Sequence, residues 1–83
     1  MKSWTDLTHY AGFDWASDHH DIVIVDRSGT IVADFRIPDT AEGWRDLADR
    51  VKKFPAVGAV VETRYGAMIE RLLGTRCEVF PIN

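Results

Sequence analysis

Up to Pro38 the apolar positions of this chain form two short runs and one stretch that alternates with period two, and beyond it a period of three to four appears, broken by one continuous apolar run. Within Leu7–Trp15, the segment Tyr10-Ala11-Gly12-Phe13 runs into Asp14 and predicts a first strand. After a polar turn over Ala16–His19, Ile22-Val23-Ile24-Val25 is β-branched throughout, which suits a pleated sheet. Asp26-Arg27-Ser28-Gly29 is turn chemistry and marks a hairpin. A third strand then alternates: Ile31, Ala33, Phe35 and Ile37 on one face, Thr30, Val32, Asp34 and Arg36 on the other, as in an edge strand half open to water. Past Pro38, Asp39 with Glu42 three residues on has the logic of a capping box, and Trp44, Leu47, Ala48 and Val51 line one helix face. Phe54-Pro55 stops that helix. Val57-Gly58-Ala59-Val60-Val61, apolar on both faces, reads as a buried parallel strand ending in Glu62. Tyr65, Met68, Ile69, Leu72 and Leu73 predict a second amphipathic helix closed by Gly74 at C′, and Cys77–Ile82 a last strand.

The order is β-β-β-α-β-α-β. Strands joined by tight turns are antiparallel, whereas strands that return through a helix are parallel and cross over right-handedly. Strand four therefore falls beside strand one, giving an α/β fold with a mixed five-stranded sheet in the order 3-2-1-4-5, the opening part of an RNase H-like architecture. Neither an internal repeat nor a linker divides the chain. Residues 1–9 are read as an N-terminal extension and residues 10–83 as the domain.

That topology has a chemical consequence. Parallel neighbours lie about 4.8 Å apart, so Asp14 and Glu62, each at a strand end, can converge on one point. Two carboxylates so close repel, and a divalent cation removes the penalty; Mg²⁺ favours one or two carboxylates together with waters and phosphate oxygens. Such a site polarises a phosphodiester and activates its attacking nucleophile. Gly12 and Ala16 share the Asp14 face and leave room for a phosphate backbone, while Arg64 and Tyr65 follow Glu62 near a helix start, where backbone N–H groups favour anions. Spacing alone leaves a plainer reading open: Asp14 as a turn or cap residue and Glu62 as a solvated strand end.

Size and charge narrow the classes further. Eighty-three residues make one small domain, which buries about 60–65% of its unfolded surface. The 46% hydrophobic and 28% charged content is that of a soluble globular chain, so no membrane partner is expected. No apolar run approaches the roughly 20 residues of a membrane span. Met1–Tyr10 lacks the apolar stretch of a secretory signal. The single Cys77 excludes an internal disulfide and reads as a buried strand residue. A cytoplasmic location follows as the default. The net charge of −3 is unusual for a nucleic-acid binder, but Arg45, Arg50, Lys52, Lys53, Arg64, Arg71 and Arg76 gather in the second half.

An ordered set of segments carries a family resemblance. Gly12-Phe13-Asp14, Asp21-Ile22-Val23-Ile24-Val25-Asp26-Arg27-Ser28-Gly29, Phe35-Arg36-Ile37-Pro38-Asp39-Thr40-Ala41-Glu42-Gly43, Val60-Val61-Glu62-Thr63-Arg64-Tyr65-Gly66 and Val79-Phe80-Pro81-Ile82-Asn83 together resemble the N-terminal domain of insertion-sequence transposases of the IS110 type, related to the Piv invertases. The resemblance runs from Gly12 to the end. It implies an RNase H/RuvC-like fold with a DEDD acid tetrad coordinating Mg²⁺ (Mn²⁺ as a substitute), in which Asp14 matches the first Asp and Glu62 the Glu. It also implies a bacterial enzyme that recombines DNA under the direction of a bridge RNA, works as a homo-oligomer, and has a further domain with a serine nucleophile. The last two Asp of the tetrad would lie beyond Asn83, so the chain is expected to be a truncated domain, inactive in isolation. In place of the small, basic pair usual after the first Asp stands Trp15-Ala16-Ser17.

Competing readings remain. A non-catalytic module of the same fold would bind nucleic acid or assemble protomers. An actin-like or sugar-kinase half shares the opening topology but carries a Gly-rich phosphate hairpin after strand one, and Ala16-Ser17-Asp18-His19-His20 has no glycine. Asp18-His19-His20-Asp21, with His9 the other histidine, suggests a transition-metal site, against which stands an exposed hairpin turn. Trp4 and Trp15 could stack on bases, whereas Trp44 sits on the apolar stripe and is expected in the core.

Overall fold

A computed structural model describes residues 3–83; Met1 and Lys2, part of the expected N-terminal extension and of the segment weighed as a signal, lie outside the described residues. β1 (His9–Trp15), β2 (His19–Asp26) and β3 (Ile31–Pro38) form an antiparallel meander. The β2–β3 turn closes because Gly29 takes φ 87°, a left-handed value that L side chains rarely adopt. Asp26 supports it by accepting the backbone N–H groups of Ser28 and Thr30 at 2.9 and 3.1 Å. The chain continues through α1 (Ala41–Val51), β4 (Val57–Glu62), a 3₁₀ turn at Thr63–Tyr65, α2 (Gly66–Leu73) and β5 (Glu78–Ile82). β4 pairs in parallel with both β1 and β5, and the five strands stand in the order β3-β2-β1-β4-β5. This is the mixed α/β sheet predicted, with the topology that opens an RNase H-like fold.

Both helices lie on the same side of the sheet. Ala11, Ile22, Ile24, Ile37, Val57, Ala59 and Val61 point toward them and meet Trp44, Leu47, Val51 and Leu72 in one buried cluster. The opposite face carries Tyr10, Gly12 and Asp14 on β1, since neighbours in a strand alternate, and among the described residues no α-helix covers it. There the 3₁₀ turn Trp4–Asp6 folds back so that Trp4 packs against Tyr10 and Phe80, at 4.8 and 5.0 Å between ring centroids. Leu7 is fully buried beneath it and occupies the space a Cβ on Gly58 would need.

Five details depart from the sequence expectation. The N-cap of α1 is Thr40, not Asp39: Thr40 is extended and its hydroxyl accepts the Gly43 N–H at 3.1 Å. Asp39 is thereby released for a different task, described below. Gly74 closes α2 in the right-handed region at φ −78°, so the left-handed C′ conformation is not used. Ile31 does not join its predicted apolar face, because the β2–β3 register shifts between Ile24 and Val25 and leaves it 60% exposed. Leu73 is 66% exposed whereas Leu72 is fully buried, since a helix that short buries a single stripe. Finally, Val60 is not enclosed on both faces as a buried parallel strand would have it; it is 44% exposed on the uncovered side. Cys77 is buried just ahead of β5, and that burial pushes its thiol pKa up. No helix among the described residues is long and apolar enough to cross a membrane.

Candidate carboxylate site

The parallel ladder between β1 and β4 pairs His9 with Val57, Tyr10 with Gly58 and Ala11 with Ala59. There it stops, although both strands continue, β1 to Trp15 and β4 to Glu62. Chain direction explains the opening. From the end of β1 the backbone turns toward β2, and from the end of β4 it turns the other way toward β5, so a crevice forms where the two leave the sheet. Asp14 and Glu62 both line this recess, of about 220 Å³, together with Phe13, Trp15, Val60, Val61 and Tyr65. By alternation from Gly12 and Val60, both carboxylates stand on the face opposite the helices. Gly12, two residues before Asp14, has open space where a Cβ would project. Ala16 lies past the end of β1, in the turn to β2, so the structure does not extend that strand face to it.

The two acids differ in their partners. Among the described residues no hydrogen bond or short ion pair engages Asp14, which is exposed. Glu62 is held by Arg64, whose Nε lies 3.2 Å from Oε2 and whose Nη2 donates to Oε1 at 3.3 Å. The Arg64 guanidinium in turn sits 5.0 Å over the Tyr65 ring. Arg64 and Tyr65 belong to the 3₁₀ turn that precedes α2 and not to the helix itself, so the place of Tyr65 in the recess lining and of Arg64 beside Glu62 comes from the turn and not from α2's N-terminal amides.

Comparison with known proteins bears on this arrangement. A family model described as a transposase, for the DEDD group of IS110 elements, matches residues 11–83. The mini-circle transposase for IS117 of Streptomyces coelicolor is 36% identical over 86 residues, covering 96% of this chain. The chain belongs to the IS110-type transposase family. It spans about a fifth of the length of the IS117 transposase, 21%.

Behind the carboxylates, this transposase domain has an aromatic wedge that fixes the end of β1. Trp15 stacks on Phe13 at 4.6 Å, lies 6.2 Å from Trp44 and 6.4 Å from Tyr65, and presents its ring at a steep angle to His20 at 5.0 Å. Trp15 is thus engaged in packing from the helix side, Trp44 is in the core as predicted, and Tyr65 joins the wedge to the recess. His19 and His20 are not in an exposed turn: both are in β2, and His20 is fully buried. Its Nδ1 accepts the Ala16 N–H at 3.3 Å, which leaves the proton on Nε2, 3.5 Å from the Asp39 carboxylate and too far for a full hydrogen bond. Asp39 accepts the Trp44 indole N–H at 2.9 Å and lies 3.9 Å from Arg71. The indole bond, then His20 and Arg71, hold the Asp39 carboxyl below its usual range. Among the described residues no group of three or more His, Cys, Asp or Glu is placed to hold a metal, so the Asp18–Asp21 segment does not form the transition-metal site its composition suggested.

One acidic neighbour was missed in the sequence. Asp21 stands opposite Asp14 in the β1–β2 ladder, and Arg36 stands opposite Asp21 in the next. The Arg36 fork donates to both Asp21 oxygens, at 2.8 and 3.1 Å, and holds that carboxyl below its ordinary 3.8. A third carboxylate beside the recess is thereby neutralised. The hairpin length contained this register, because a turn over residues 16–18 sets Asp14 against Asp21.

This pair gives a pH dependence with a definite sign. A carboxyl with a depressed folded pKa contributes stability above its unfolded value of 3.8, and loses it as pH falls from there through the folded value. Asp26, held down first by the Ser28 hydroxyl, and Asp39 act in the same direction. Melting temperatures are therefore expected to fall below pH 4. Arg36→Gln should melt slightly lower than wild type at pH 6, by an amount in keeping with an exposed pair, and the two curves should converge toward pH 2. Parallel curves would mean the pair contributes nothing.

Proposed function

We propose that this chain is the part of a DNA transposase that supplies two metal-binding acids, Asp14 and Glu62, to phosphodiester chemistry. The observation that supports it most is their placement around one recess at the diverging ends of adjacent parallel strands. Two hard carboxylate donors with open space at Gly12 fit Mg²⁺, or Mn²⁺ in its place. When bound, the cation would supply the charge that polarises a phosphodiester. The chain's own residues do the rest. Asp14, which makes no hydrogen bond or short ion pair among the described residues, and Glu62 hold the site; the Trp15 wedge fixes the direction of the strand that carries Asp14; Arg64 and Tyr65, at the rim, contact the nucleic-acid backbone.

Residues 10–83 form the N-terminal part of an RNase H-like DEDD transposase domain in this reading, with residues 1–9 preceding it. Family membership supports DNA as the substrate, and the resemblance extends the proposal to a bridge RNA guide, a homo-oligomeric enzyme, and further acids from outside these residues. With a net charge of −3, the chain's affinity for DNA should depend on the cation, which offsets acid–phosphate repulsion.

Fluorescence anisotropy with a labelled DNA duplex at low salt tests this. Mg²⁺ should strengthen binding, EDTA should reverse it, and Asp14→Ala should remove the response. Binding indifferent to Mg²⁺ would favour the alternative, a non-catalytic nucleic-acid-binding or assembly module.

A further inference from the structure

Glu62 lines the recess where, in the proposed reading, a cation would bind, and Arg64 pairs with it from beside that lining. Both guanidinium contacts reach the Glu62 carboxylate, one to each oxygen, so the ligand oxygens are already occupied by a positive group. A divalent ion coordinated by Glu62 would share the carboxylate with that guanidinium, and two cations on one carboxylate repel. Asp14 makes no hydrogen bond or short ion pair among the described residues, and Arg36, held by Asp21, acts on it only at longer range, so the direct competition is at Glu62. We infer that Arg64 is an exchangeable placeholder for the divalent cation: it orients Glu62 in the metal-free protein and, once displaced, is available to a phosphate at the rim of the site.

Three observations support the exchange. The pair is exposed, 68% at Arg64 and 49% at Glu62, and exposed ion pairs are weak enough for a dication to displace. Only one residue separates the partners, Glu62 closing β4 and Arg64 lying in the 3₁₀ turn that follows, so Arg64 can let go of Glu62 without disturbing a long helix. The guanidinium also lies 5.0 Å over the Tyr65 ring, which gives it a resting surface when released. From there its planar fork matches two phosphate oxygens, which a lysine would meet only as a point charge. Metal and phosphate binding then become linked, each raising the affinity for the other, as reciprocity requires. Arg64 is in this scheme a positioning residue.

The inference rests on the proposed metal-binding role of Glu62, and its test separates the two. Mg²⁺ alone is titrated by calorimetry into wild type and Arg64→Gln, and the Arg64 Nε–H resonance of the wild type is followed by NMR. Arg64→Gln should bind Mg²⁺ about two- to fivefold more tightly, the range expected from removing an exposed competing pair. The Nε–H resonance should move on saturation toward its position in Glu62→Gln, a variant in which that resonance should ignore Mg²⁺. Equal affinities in wild type and Arg64→Gln, or an unmoved resonance at saturation, overturn the placeholder while leaving metal binding intact. Absence of Mg²⁺ binding in both proteins overturns the placeholder and the metal reading together.

Discussion

Asp14→Asn is expected to weaken Mn²⁺ binding by at least about ten- to hundredfold, because even outer-shell partners of a metal ligand are worth that much and a ligand itself is worth more. The substitution keeps the side chain's size and removes only its charge. Asp14 is exposed, and among the described residues it makes no hydrogen bond or short ion pair whose loss would unfold the protein. Stability should therefore stay within about 0.5 kcal/mol of wild type. The affinity change can then be read as chemistry at the site. Calorimetric titration of both proteins, with thermal melts alongside, checks the pair of expectations. Unchanged affinity would remove Asp14 from the site, and a large loss of stability would give it a structural role that the geometry does not suggest. Glu62→Gln is a less clean companion, because it also frees Arg64.

Leu47→Ala should be strongly destabilising. Leu47 is fully buried and, with Trp44 and Val51, forms the stripe through which α1 meets the sheet. Removing a buried leucine costs about 2–5 kcal/mol, the transfer term plus the cavity left behind. A domain of this size has about 4–12 kcal/mol in total, so the variant sits near the edge of folding. At about 4–8 °C per kcal/mol, the melting temperature should drop by at least about 8 °C. Leu73→Ala provides the contrast. Hydrophobic spacing assigned Leu73 to the apolar face of the second helix, yet it is 66% exposed. Its truncation should change stability by no more than about 0.5 kcal/mol. Comparable losses in the two variants would contradict the packing described here.

These two leucines show where a sequence stops being informative. Periodicity placed both on helices and marked both as core, because a pattern of three and four describes a stripe without saying how wide the partner surface is. Leu47 meets the sheet and Leu73 lies beyond the contact. The shifted cap has a similar cause. Asp39 and Thr40 are both good N-cap residues, and the choice between them was made by Trp44, whose buried indole N–H required an acceptor and took Asp39. His20 was misread for a related reason: its neighbours Asp18, His19 and Asp21 make the segment look like a polar turn, but the strand begins at His19 and the alternation that buries Ile22 and Ile24 buries His20 as well.

What the sequence determined by itself was the connectivity and its consequences. The β-branched runs, Gly29 and the two helical stripes specify β-β-β-α-β-α-β, and the handedness of parallel crossovers then leaves β1 beside β4, which puts Asp14 and Glu62 at neighbouring strand ends. Their identity as candidates was legible for that reason. Tertiary structure decided the rest: that the β1–β4 ladder stops short of the acids and opens a recess, that Asp14 lines it with no hydrogen bond or short ion pair among the described residues, and that Glu62 meets it already paired with Arg64. Those outcomes depend on where two backbones diverge and on which of several basic residues lies within reach. The divergence arises only when segments remote in sequence are packed together, and the short-range pair forms because the 3₁₀ turn after β4 brings Arg64 back to Glu62, a local geometry that residue patterns do not record.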